Sequence, residues 1–252
     1  MFLKRCYTLY CGFWFFTLFL LLFPFFVVLI QRKAWHAYAL KLNRVWAKIL
    51  FFLAGKRIDI EWRFTPEKNR SYLFTPNHTS FLDIATLGIL PLPIAFVGKS
   101  SIANVPVFGY MYSRLHVTVN RNDYKSRYEV IQKGSEKLKQ GLNLAIFPEG
   151  GIRSPDPPRM ASFKDGAFRI AIEENVPVVP VTLPFNWKIF PDDGNFVVHG
   201  GNPKVILHPP IETQHLGAEN LKPLKEQVFT ILTQELNRYH PQSVVDNNKI
   251  KT

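Results

Sequence analysis

A chain of 252 residues has room for one well-buried core plus an appendage, and its two cysteines, Cys6 and Cys11, make neither a disulfide framework nor a metal-ligand spacing. The formal charge of +12 is unevenly placed: residues 1–60 carry nine Lys and Arg against one acid, Asp59, while residues 61–252 carry 22 against 18. Because the excess sits beside an apolar segment, it disfavours nucleic-acid binding and points to a lipid surface.

No charge occurs between Arg5 and Arg32, and Leu9 to Ile30 is dense in Phe and Leu, long enough for a hydrocarbon core of about 30 Å. A cleaved signal peptide is rejected, because the apolar run is too long and Arg32-Lys33 follow where small residues would be needed. Pro24 permits a bent, monotopic hairpin as well as a span. In a span, the Lys/Arg excess after it puts the rest of the chain on the cytoplasmic side. Next comes an amphipathic helix. Trp35, Tyr38, Ala39, Leu42, Trp46, Ile49, Leu50 and Leu53 recur at helical steps, with Lys41, Arg44 and Lys48 on the other side. Residues 1–55 are therefore expected to anchor the chain, 56–240 to form an α/β domain, and 241–252 to be a polar tail.

From Arg57 onward, strand-like and helix-like runs alternate. Strands are predicted over 57–62, 72–75, 94–97, 115–119, 144–147 and 178–183, with helices over 80–90, 123–140, 165–174 and 221–239 and a helical region reaching residue 113. Residues 196–199 and 205–207 are predicted to close as a hairpin. The alternation predicts an α/β fold: a largely parallel central sheet flanked by helices, preceded by the membrane-associated two-helix segment. Pro177 and Pro180 imply that the last of the parallel strands is an edge or carries bulges.

Asn77-His78-Thr79-Ser80-Phe81-Leu82-Asp83 stands where a strand runs into a helix. With His78 in the loop and Asp83 in the first helical turn, the carboxylate takes the Nδ1–H of His78 and leaves Nε2 as a base. The alternative is structural: Ser80 and Asp83 also fit a capping box, with His78 a plain loop residue. Three further stretches occupy strand ends: Thr118–Arg121, Phe147–Ser154 and Val176–Val181. Ligands of open parallel sheets bind beyond such ends, where His78, Arg121, Glu149 and Arg153 are expected to converge. Gly98-Lys99-Ser100 does not make a phosphate-binding loop, since Pro93 replaces its first glycine.

Together these stretches resemble the glycerophospholipid acyltransferase family, and within it the 1-acyl-sn-glycerol-3-phosphate (lysophosphatidate) acyltransferases. Asn77–Asp83 is similar to the family's His-x4-Asp block, Thr118–Arg121 to its second, Phe147–Ser154 to Phe-Pro-Glu-Gly, and Val176–Val181 to Val-Pro-x-x-Pro-Val. Gly98-Lys99 with Val105–Gly109, and Phe163–Gly166, are supporting matches. Gly151-Ile152 replaces a usual threonine with two residues, and Asn120 stands where aspartate is common.

The resemblance implies acyl transfer from a thioester to the sn-2 hydroxyl of lysophosphatidate, giving phosphatidate, with acyl-CoA or acyl-carrier protein as donor substrate. No metal and no further cofactor is implied. His78 and Asp83 become the catalytic pair; Lys99, Arg121, Glu149, Gly150, Arg153 and Lys164 become substrate-binding residues. In that assignment Arg121, with Lys99 or Arg153, holds the phosphate, Glu149 contacts a glycerol hydroxyl or positions the site, and backbone N–H groups near Gly150 face the oxyanion. No Gly-x-Ser-x-Gly elbow is present, so direct transfer is expected. Two other readings stand beside it: the same chemistry on glycerol-3-phosphate or a lyso-ornithine lipid, and a non-catalytic, membrane-tethered lipid-binding module.

Overall fold

The computed structural model describes residues 1–120, 123–154 and 156–241; the predicted polar tail from 242 onward lies outside the described residues. Helix α1 (Phe2–Leu29) continues past Pro24 as one element, buries only Leu18, Phe19 and Phe26, and is long and apolar enough to cross a membrane. After a 3-10 turn at Lys33–Trp35, helix α2 (His36–Leu53) returns beside it. The hydroxyls of Tyr7 and Tyr10 donate to the carbonyls of Ala54 and Leu53 at 2.7 and 3.1 Å, which fixes the two helices antiparallel.

The face predicted for α2 is divided in the structure. Ala39, Leu40, Trp46, Ala47 and Phe51 turn inward, whereas Tyr38 and Ile49 are exposed beside Lys41 and Lys48. Apolar residues occur nearly all round this helix, so spacing alone cannot choose the inner side. The choice follows from Trp46, whose ring lies 4.7 Å from Phe15 and 5.2 Å from Phe19 of α1.

Among the described residues seven strands make one sheet: β1 (Asp59–Trp62), β2 (Leu73–Pro76), β3 (Ile94–Lys99), β4 (Val117–Val119), β5 (Asn143–Ala145), β6 (Val178–Thr182) and β7 (Lys204–Leu207). Their order is β1-β7-β6-β2-β5-β3-β4. The five from β6 to β4 are parallel; β7 runs antiparallel to β6, and β1 parallel to β7. The connections carry α3 (Leu82–Gly88), α4 (Phe108–Leu115), α5 (Tyr124–Lys139) and α6 (Gly166–Glu173), and after β6 come α7 (Asn186–Ile189) and α8 (Leu221–Tyr239).

Strand residues alternate between two cores because successive side chains point to opposite faces. Phe74, Ala145, Val179 and Val181 join Leu87 of α3 and Leu90 just past it on one face. Leu73, Leu144 and Val178 join Phe168, Ile170, Val228 and Leu232 on the other. Both faces are covered, so β2 and β6 read as continuous apolar runs.

One expectation is corrected. Residues 196–199 form no strand, and β7 pairs with β6 and β1 instead of closing a hairpin. The backbone there finds other partners: Val198 N–H donates to Thr8 Oγ1 at 2.9 Å and His199 N–H to Ile189 O at 2.7 Å. Of the edge or bulge implied by Pro177 and Pro180, the edge fails, since β6 lies between β2 and β7, and the bulge is found: Val181 faces Leu207 but Val178 faces Ile211, so residues 208–210 of the opposing chain stand against 179–180 of β6. In that irregular stretch Pro180, which has no N–H to give, keeps a carbonyl that accepts His208 N–H at 3.0 Å.

Candidate active site

The site lies beyond the carboxyl ends of the neighbouring strands β2 and β5. His78 occupies the loop after β2 and Asp83 is the second residue of α3. Asp83 is fully buried and His78 nearly so. His78 Nδ1 lies 2.9 Å from Asp83 Oδ2. A carboxylate only accepts, so Nδ1 carries the proton and the neutral ring keeps its lone pair on Nε2. Among the described residues nothing hydrogen-bonds to Nε2.

The same Oδ2 accepts the backbone N–H of Thr79 and of Ser80, each at 2.9 Å, while Ser80 Oγ accepts Leu82 N–H at 3.0 Å. The catalytic and capping readings of this motif therefore describe one carboxylate. Capping a helix start fixes Asp83 against the backbone that carries His78. The imidazole is also stacked on Phe147, with centroids 3.8 Å apart at 23°.

Glu149 comes from the loop after β5 and is 1% exposed. Its Oε1 accepts the backbone N–H of His78 at 2.7 Å and its Oε2 that of Ala161 at 2.8 Å. Burial pushes this carboxyl up to about 7, the two N–H donors oppose that rise, and the charge of Asp83 adds to it. With both oxygens engaged by backbone, Glu149 ties the histidine loop to the 149–161 loop.

Gly150 adopts φ +75, a backbone conformation that favours glycine, and the Lys164 side chain passes so close over this turn that a Cβ there would meet its Cε at 2.9 Å and displace it. Of the backbone N–H groups near Gly150, that of Gly150 itself donates to Phe147 O at 3.0 Å. Lys99, at the end of β3, and Arg153 and Lys164, within the β5–α6 loop, are exposed. None of the three forms a hydrogen bond or ion pair with His78, Asp83 or Glu149 among the described residues. Arg121, two residues past β4, lies outside the described residues. The structure thus joins His78, Asp83 and Glu149 directly, and Gly150 with Lys164.

Two partners escaped the sequence reading. Asn77 closes both ends of its amide on Leu183, accepting the N–H at 2.7 Å and donating to the carbonyl at 3.2 Å. Asn186 Nδ2 donates to Asp83 Oδ1 at 2.8 Å. Both contacts span more than 100 residues and carry no local pattern.

Comparison with known proteins adds the following. A family model described as Acyltransferase matches residues 57–184, or 128 of the 252 residues. The chain is 37% identical over 182 residues to the chloroplastic 1-acyl-sn-glycerol-3-phosphate acyltransferase LPAT1 of Arabidopsis thaliana, covering 71% of this chain and 49% of that one. It is 35% identical over 181 residues to BAT2 of Brassica napus, of the same printed activity, covering 71% and 51%. The chain spans about half the length of these two relatives. The 1-acyl-sn-glycerol-3-phosphate acyltransferase of Escherichia coli is 26% identical over 187 residues, covering 73% of this chain and 74% of that one. Among solved structures, the 1-acyl-sn-glycerophosphate acyltransferase PlsC of Thermotoga maritima shares the fold, with a TM-score of 0.76 at 22% identity, covering 94% of this chain and 98% of that one.

Proposed function

We propose, from the premise that this chain belongs to the acyltransferase family, that it moves a fatty acyl group from an acyl thioester to the sn-2 hydroxyl of lysophosphatidate, giving phosphatidate. The observation that carries the reading is the 2.9 Å bond from His78 Nδ1 to Asp83 Oδ2, which leaves Nε2 as a base. The activity printed for the Arabidopsis, Brassica and Escherichia relatives supports the acceptor.

The chemistry follows from that ring. Nε2 takes the acceptor's hydroxyl proton as its oxygen attacks the thioester carbonyl. The imidazolium so formed is stabilised by Asp83, which keeps its own charge. The tetrahedral oxyanion then collapses, the carbon–sulfur bond breaks, and the departing thiolate recovers the proton from Nε2. No acyl-enzyme is needed, because the thioester is already activated.

Arg121, with Lys99 or Arg153, is assigned to the acceptor's phosphate, arginine being suited by its bidentate fork. The helices α1 and α2 hold the domain against the cytoplasmic face of a membrane, where acceptor and product both reside. The test is to incubate the full chain in phospholipid vesicles with lysophosphatidate and either acyl-CoA or acyl-carrier protein. Phosphatidate from at least one donor is the expected result; none from either sinks the proposal.

A further inference from the structure

The geometry points to Asn186 as a positioning residue that acts through Asp83 on the base, an inference that deepens the acyl-transfer reading and rests on it. Asn186 lies beyond Val176–Val181 and beyond the family match, which ends at residue 184. It opens the four-residue helix α7 and is fully buried.

Its amide has one polarity open to it. Nδ2 donates to Asp83 Oδ1 at 2.8 Å and to Thr86 Oγ1 at 3.2 Å. Thr86 spends its own hydroxyl proton on Leu82 O at 2.8 Å, so toward Asn186 it only accepts. A flipped amide would set its oxygen against two acceptors. The orientation that serves Asp83 leaves Asn186 Oδ1 buried with no partner among the described residues. A buried acceptor is left unsatisfied so that the second carboxylate oxygen receives a donor.

Asp83 is thereby held on both oxygens. Oδ2 gathers His78, Thr79 and Ser80, and Oδ1 has Asn186. Without that fourth donor, rotation about the carboxyl bond costs only the contacts of Oδ2, and the Nδ1–H bond loses its fixed direction. The turn bearing Asn186 is itself braced. The side chains of Trp187 and His240 donate to Pro184 O at 3.0 and 2.9 Å, Phe185 packs edge-on against Tyr239 at 5.4 Å, and Asn77 clamps Leu183.

The experiment compares wild type, Asn186→Ala and the isosteric Asn186→Asp, each also in an Asp83→Ala background, in vesicles containing lysophosphatidate. The single variants should lose roughly tenfold or more in kcat, with KM within about twofold, as expected when a general base is misdirected and acceptor binding is kept. In the Asp83→Ala background the same substitutions should change kcat by less than about twofold, since the route to His78 is already cut. Histidine ¹⁵N spectra supply a readout free of turnover: the Nδ1-protonated tautomer of His78 expected in wild type should be lost in both single variants. Equal losses in both backgrounds, an unchanged kcat, or an unaltered tautomer would overturn the role. Should the wild type make no phosphatidate, the acceptor assignment falls and the nitrogen spectra alone decide Asn186.

Discussion

Glu149 receives the backbone N–H of His78 at 2.7 Å, so the candidate base is gripped by its main chain from one side while Asp83 grips its ring from the other. Two carboxylates with different tasks flank one histidine. Glu149 couples the loop after β2 to the loop after β5, and a change at either loop is felt at the imidazole.

That coupling has a pH signature. Glu149 is raised by burial from an ordinary 4.5 to about 7. The folded protein therefore keeps a proton that the unfolded chain releases, so this group's stabilisation is complete below about pH 4.5 and is lost as pH rises through about 7. The range amounts to something on the order of 3 kcal/mol. Between pH 5 and 8, the melting temperature of wild type should fall relative to that of Glu149→Gln, which lacks the titration. Parallel curves would contradict it.

Asp83→Asn keeps the shape of the carboxyl group but has one acceptor oxygen where two are used, so its NH2 must face either the three donors gathered at Oδ2 or the Asn186 donor at Oδ1. In both settings the charge that would stabilise the imidazolium is gone, and in the first the tautomer is lost as well. A drop in kcat of roughly 10³-fold or more is expected, in line with loss of charge at comparable His–Asp pairs. A variant that retains a tenth of wild-type turnover would show that the pairing is not catalytic.

Stability rests partly on an ion pair far from the site. Arg63, just past β1, donates to both oxygens of Glu235 on α8, at 2.8 and 2.7 Å, and Glu235 is buried. Arg63→Met should lower the unfolding free energy by about 2–3 kcal/mol, because the buried Glu235 carboxylate loses both bidentate bonds and keeps only the more exposed Arg238 at 3.1 Å. Urea titration reads this directly; a midpoint within error of wild type would refute it, and turnover per folded molecule should be unchanged.

The phosphate assignment predicts a different kinetic pattern. Arg121→Ala and Arg153→Ala should each raise KM for lysophosphatidate by roughly tenfold or more, the size of a lost charge-assisted hydrogen bond. A lyso-ornithine lipid, which bears no phosphate, should show no such penalty if it is accepted at all. Equal effects on both acceptors would remove these arginines from phosphate binding.

Much of this arrangement is legible in the residues because it is local. Helix α8 has the bounds read from the sequence, Leu221–Tyr239, since polar flanks and helical spacing coincide there. His78 and Asp83 are readable because five residues across a strand-to-helix turn can meet in only one way. Gly109 in the supporting block also has a local cause: a Cβ there would lie 2.0 Å from Ala103 O. What sequence could not supply was long-range. Asn186 sits in a four-residue helix with no periodicity to detect, 103 residues from its partner. The apolar run at 196–199 looks like a strand, yet Phe196 adopts φ +52 and the backbone is used by α1 and α7. Strand propensity yielded there to tertiary contacts.

The most direct test is turnover by His78→Ala beside wild type, both as full chains in the same vesicles with lysophosphatidate and an acyl thioester, and with equal melting temperatures as proof of folding. The account predicts phosphatidate formation lower by at least about 10²-fold in the variant, the minimum contribution of a positioned general base. Undiminished formation would contradict it.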